Sequence, residues 1–197
     1  CNIKLIKKIH IIKRKTMSEI KTKEQLKRQS IRAFQNEMKQ YLLTSRFTNA
    51  TFDENKEYRK KNNVSCIYCS PDPITKKIPY DAVVFVLEMN NEQNRIEGIG
   101  MIRNHPIVNK YNVYQDGNYN RYVFKGKHYI SRNDMKSQDE EAVMKAFDIL
   151  CFKGNKHMKR GQGLKSFPIE MLYNCRNTLN IIKFICNMFK ARIEKQT

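Results

Sequence analysis

Lys153, Lys156, Lys159, Arg160 and Lys165 stand with His157 and Gln162 in one run, KGNKHMKRGQGLKSFP over 153–168, and no carboxylate interrupts it. Gly154, Gly161 and Gly163 punctuate the run, and glycine lets a backbone take positive φ or approach another molecule closely. Lysine and arginine beside backbone N–H groups grip phosphate oxygens. The chemistry implied is a hold on a polyanion, set against the plainer reading of a solvated loop in a chain that is basic throughout. The run is not a nucleotide-triphosphate loop. Gly154 and Gly161 have the wrong separation, and Leu164 precedes Lys165-Ser166 where that motif needs glycine.

A second constellation interleaves aromatic rings with cations. Residues 111–132, YNVYQDGNYNRYVFKGKHYISR, set Tyr122 and Tyr129 among Arg121, Lys125 and Lys127. Aromatic faces stack bases at about 1–3 kcal/mol each while flanking cations hold the backbone; Phe124 is expected in the core instead. Cys66 and Cys69 form the one CxxC pair. A structural zinc site needs four ligands and usually a second pair, so these two are weak metal candidates, read first as structural cysteines. Pro71 and Pro73 follow them and argue against a redox pair at a helix start. No serine sits in a Gly-x-Ser-x-Gly elbow, and ordinary strand composition accounts for Asp81, Glu88 and Glu97. No catalytic residue and no cofactor is assigned, and a binding protein is favoured over an enzyme.

The 197 residues suffice for one domain with a real core. Lysine and arginine number 38 against 19 acids, a net charge of +19. That excess speaks of partners rather than of fold, with nucleic acid first and an anionic membrane surface second. Residues 1–16 carry six of the cations and no acid, which leaves 19 − 6 = +13 on the remainder. Six irregularly spaced cysteines do not make a disulfide scaffold and point to a reducing compartment. No run approaches the length of a membrane span.

These side chains need elements to hold them. Residues 1–16 read as a basic arm or a non-native extension ahead of Met17, and 17–197 as a single α+β domain. A helix is expected over 19–44, from Leu26, Ile31, Phe34, Met38, Tyr41 and Leu42 at three- and four-residue spacing. Arg46 to Asn63 reads as a polar surface connection. A β-rich region follows over 64–132. Tyr80–Met89 and Arg95–Arg103 make a hairpin across an Asn-rich turn, and Gly98 and Gly100 mark a bend or a close backbone approach. Tyr111–Tyr114 and Tyr119–Phe124 make a second hairpin around Asp116-Gly117, and Lys125-Gly126 turns the chain into His128–Ser131. The rest, 137–195, is helical. Ser137 and Glu140 form a capping box, a short helix lies near 169–175, and a last one covers about 177–194. The fold expected is α+β, a small, mostly antiparallel and partly closed sheet flanked by N- and C-terminal helices.

Two stretches, YNRYVFKGKHYISRND over 119–134 and FDILCFKGNKHMKRGQG over 147–163, resemble an uncharacterised protein family of giant nucleocytoplasmic large DNA viruses. The order of a Gly-x-Gly hairpin, further strands and a basic loop is more loosely similar to PUA-like modules of the EVE, YTH and ASCH group, whose cage tryptophans this chain lacks. The resemblance implies a viral protein of the host cytoplasm (the viral factory) or the virion, with viral proteins among its partners. It also implies a module that binds RNA or modified bases. Together with the charge, this makes nucleic-acid binding, RNA somewhat ahead of DNA, the expected function. The alternatives are a virion or scaffold protein whose charge neutralises genome or acidic partners, and a nucleic-acid-processing enzyme.

Overall fold

The structure is a computed structural model that describes residues 22–107, 111–155 and 157–194. The expected arm over 1–16 and the start at Met17 lie outside these residues. The chain divides into two units after Met38. In the first, residues 22–37 form helix α1, carrying an Arg28–Glu24 ion pair one turn apart at 2.6 Å.

The second unit has the strands β1 (Gln40–Phe47), β2 (Cys66–Ser70), β3 (Val83–Asn90), β4 (Arg95–Arg103), β5 (Tyr122–Gly126), β6 (His128–Ser131) and β7 (Leu164–Ser166). Its helices are α2 (Asn49–Lys61), α3 (Gln138–Phe152), α4 (Ile169–Cys175) and α5 (Ile181–Ile193). Five strands form a sheet in the order β6-β4-β3-β1-β7, and β2 pairs with β5 in a separate ladder. Only β1 and β3 run parallel; the other ladders are antiparallel. The chain is therefore α+β with a mostly antiparallel sheet, as the sequence implies.

The β3–β4 hairpin forms where the apolar, β-branched run predicts it. α3 also starts where expected: the Ser137 hydroxyl accepts from the Glu140 amide at 3.2 Å, and Asp139, Glu140 and Glu141 fill the first turn, where the helix dipole favours acids. Three expectations change. Residues 40–47 are strand rather than the end of a helix over 19–44, because Tyr41, Leu42 and Leu43 pair with Val84, Phe85 and Val86; a short apolar run fits either period. The polar connection over 46–63 contains a helix of 13 residues, α2, started by a reciprocal Thr48–Thr51 capping box. Only Phe52 and Asn55 of α2 are buried, so it has no apolar stripe to announce it. Finally, Asp116-Gly117 does not turn a hairpin. The Asn120 side chain closes this loop by accepting from the Val113 and Tyr114 amides, β5 pairs with β2, and β6 pairs with β4.

Alternation along the strands sends two sets of side chains to two faces. One face meets α3 and α5, with Phe85 stacked on Phe189 at 5.4 Å between ring centres. The other carries Leu43, Val84, Val86 and Ile102 into a core shared with Phe52 of α2 and with β2, which is buried along its whole length.

Glu88, fully buried, lies on that second face. Its carboxylate accepts from the Tyr68 and Tyr129 hydroxyls, both at 2.8 Å, and from Arg59 of α2 at 3.2 Å. The Arg59 guanidinium lies 3.9 Å above the Tyr129 ring. Gly98 and Gly100 of β4 make room for this group. A Cβ on Gly98 would stand 2.2 Å from the Tyr129 hydroxyl, and one on Gly100 would stand 2.0 Å from that of Tyr68. The two glycines thus admit tyrosine rings, where the sequence suggested a bend or another backbone. Burial raises the Glu88 pKa, more than Arg59 and the two hydroxyls lower it.

A folded pKa above the unfolded one means that stability is fully present below the unfolded value and falls as pH rises through the folded one. Arg59→Met removes the counter-charge, so its cost is small in acid and grows towards neutral pH, where breaking a buried pair costs about 3–5 kcal/mol. Urea unfolding of both proteins across acid to neutral pH checks this; a cost independent of pH contradicts it.

Candidate nucleic-acid interface

At the end of the sheet where β3 finishes, β1 runs into α2 beneath the glycine-rich loop. Thr48 caps α2 with its side chain accepting from the Thr51 amide. The loop is held down by three contacts. Arg46 Nε donates to the Met158 carbonyl at 2.5 Å, Asn91 Nδ2 donates to the Lys159 carbonyl at 3.1 Å, and Lys159 Nζ donates to Asn94 Oδ1 at 2.8 Å. It then returns to the sheet through Gly163, whose φ is +62°. There a Cβ would stand 2.2 Å from Ser70 Oγ, the atom that accepts from the Leu164 amide at 3.3 Å. Backbone conformation and crowding both demand glycine here.

These contacts enclose a cavity of about 180 Å³. Its walls combine the rings of Phe47, Tyr114 and Tyr119 with Arg46, Asn91, the Thr48–Thr51 cap and the loop from Gly161 to Gly163. Tyr114 and Tyr119 meet edge to face at 6.2 Å, and Asn55 of α2 fixes the Tyr114 hydroxyl at 2.9 Å. Arg46 Nη1 and Asn91 Oδ1 are buried without a hydrogen-bond partner among the described residues. Burial pulls the Arg46 guanidinium below its ordinary pKa. A cavity of about 150 Å³ accepts one benzene-sized ring, so this one has room for a single planar aromatic group. Its lining combines three aromatic residues with polar side chains and loop backbone.

The structure disperses the residues singled out from the sequence. Gln162 lines the cavity. Arg160 is exposed on the same loop, Lys153 is exposed at the end of α3, and Lys156 lies outside the described residues. His157 is half-buried, with Nδ1 unpartnered among the described residues. Lys165, on β7, pairs with Asp72 at 3.4 Å. Tyr122 pairs with Ser70 at the cavity end of β5, and Arg121 is exposed beside it. Lys125 and Lys127 stand at the far end of β5, with Lys125 Nζ 4.0 Å above the Tyr111 ring. Tyr129 belongs to the Glu88 group instead.

Cys66 and Cys69 are buried in β2, and burial pushes each thiol up to about 12. Three residues apart on a strand, they face opposite ways, and no cluster of three or more His, Cys, Asp or Glu suited to a metal occurs among the described residues.

Tyr119 of the site belongs to the aromatic and basic stretch over 111–132 that the sequence singles out, whereas Arg46 and Asn91 complete the site with no signal beyond the Thr48-x-x-Thr51 cap and the Asn90-Asn91 turn. No family model, curated protein or solved structure matches the chain. Gly163→Ala is expected to cost about 1–3 kcal/mol and to speed hydrogen exchange at the Leu164 amide; unchanged exchange and stability contradict this account of the loop.

Proposed function

We propose that the protein binds single-stranded nucleic acid, RNA somewhat ahead of DNA, and takes one unstacked base into the cavity between β1, α2 and the glycine loop. The observation that carries this reading is the cavity itself: ring-sized, lined by both aromatic and polar residues, beneath a loop rich in cations. Sequence-tolerant stacking supplies affinity for single strands, and Thr48, Thr51, Asn91 and Gln162 of the lining supply polar groups suited to the edge of a base. Exposed Arg160 and Lys153, with the other cations of the run, attract the phosphates. The resemblance to PUA-like modules and to proteins of large DNA viruses agrees with a reader of RNA or modified bases working in the viral factory or the virion.

Fluorescence anisotropy against single- and double-stranded RNA and DNA across salt tests the reading. Single strands are expected to bind tighter than duplexes. Tyr119→Ala is expected to cost about 1–3 kcal/mol of that affinity, with Gln162→Ala acting in the same direction. Steep salt dependence with no strand preference and no effect of either substitution contradicts the proposal, and points to a virion or scaffold protein that only neutralises charge. Metal-dependent cleavage of the strand would place the protein among nucleic-acid-processing enzymes.

A further inference from the structure

The opposite end of the same sheet holds a second basic concavity. A cavity of about 710 Å³ lies against the end of β4 and the β5–β6 turn, with Arg103, Lys125, Lys127, His105 and His128 in its wall. Among the described residues Asp81 is the one acid in that wall, and Arg103 donates to its carboxylate at 3.0 Å and to its backbone carbonyl at 2.9 Å. Lys127 and His128 also line an adjoining cavity of about 310 Å³ towards α5. The two spaces therefore meet across the Lys127–His128 ridge. At the rim, Tyr80 is 68% exposed and lies 4.8 Å from the His105 ring. An exposed aromatic pair beside Lys125 and Lys127, with Arg103 and Asp81 paired to each other, suits a chain of phosphates joined to bases.

The two sites are related through β3 and β5. Asn90 ends β3 beside the first cavity, and Val83 begins it at the second. At about 3.3 Å per residue, these ends lie roughly 23 Å apart. β5, Tyr122–Gly126, covers about half of that interval, roughly 13 Å at about 3.3 Å per residue, with Tyr122 paired to Ser70 at one end and Gly126 paired to Cys66 at the other. Lys125 over Tyr111 lies near its second end. A stacked strand advances about 3.4 Å per nucleotide, so roughly 23 Å corresponds to about seven nucleotides.

We infer that the concavity around Lys125, Lys127 and His128 holds the phosphodiester backbone of the same strand whose base enters the first cavity. The protein then measures a strand that reaches from one end of the sheet to the other. This rests on the nucleic-acid reading of the first cavity.

The test compares a dinucleotide with a strand of about ten nucleotides, each against the unaltered chain and a Lys125→Gln/Lys127→Gln variant. Affinity for the long strand is expected to fall about tenfold. The slope of log affinity on log salt is expected to shrink by about 1.4, for two phosphate contacts at about 0.7 each. Dinucleotide binding stays unchanged. Lys127→Glu alone, at an exposed position, gives the same pattern without disturbing the contact to Tyr111. Lys183→Gln/Lys190→Gln, on the exposed side of α5, changes neither ligand's affinity. An equal loss in this control, or no loss in the Lys125/Lys127 variant, overturns the inference. A long strand that binds no tighter than the dinucleotide overturns it while the first cavity stands, whereas failure of both ligands to bind removes the two readings together.

Discussion

A carboxylate shut away from water organises this molecule. Taking an ion out of water costs several kcal/mol unless partners replace its hydration, and Glu88 is supplied from three elements at once. Arg59 comes from α2, Tyr68 from β2 and Tyr129 from β6. The two tyrosines can reach it because β4 presents no side chain at Gly98 and Gly100. The pair of glycines and the acid therefore act as one unit, which fixes the distance at which α2 and β2 lie over the sheet.

The first cavity follows from that constraint. With Arg59 held near the end of α2, the beginning of the helix is delivered to the end of β1, where Thr48 and Thr51 cap it. Asn55, one turn before Arg59, binds both the Ile67 carbonyl and the Tyr114 hydroxyl. This carries the positional information of the buried core to an aromatic wall of the cavity. Arg46 and Asn91 then hold the glycine loop over the opening through its Met158 and Lys159 carbonyls. An interior polar network thus serves the surface chemistry without touching a ligand.

Strong local signals place elements correctly, whereas elements that depend on tertiary pairing leave no such signal. The hairpin of β3 and β4, the cap of α3 and the two last helices follow from periodicity and capping alone. β1 reads as helix from sequence because Tyr41, Leu42 and Leu43 suit either period until β3 is beside them, and α2 carries no apolar signal because its buried residues are Phe52 and Asn55. The basic loop was visible as composition. Its role as a cavity wall was not, because Arg46, Asn91 and Tyr119 come from three separate segments that only the fold brings together. Tyr129 looked like a stacking ring beside lysines, yet its hydroxyl turns inward to an acid that strand composition made look ordinary.

Photocrosslinking addresses the central claim most directly. A single-stranded RNA carrying a halogenated uracil would be irradiated with the full chain and the attached peptides mapped. The account predicts attachment within 114–122 and 159–163, the two segments that face each other across the first cavity. Attachment confined to α1 or to the exposed side of α5, with none in those segments, would contradict it.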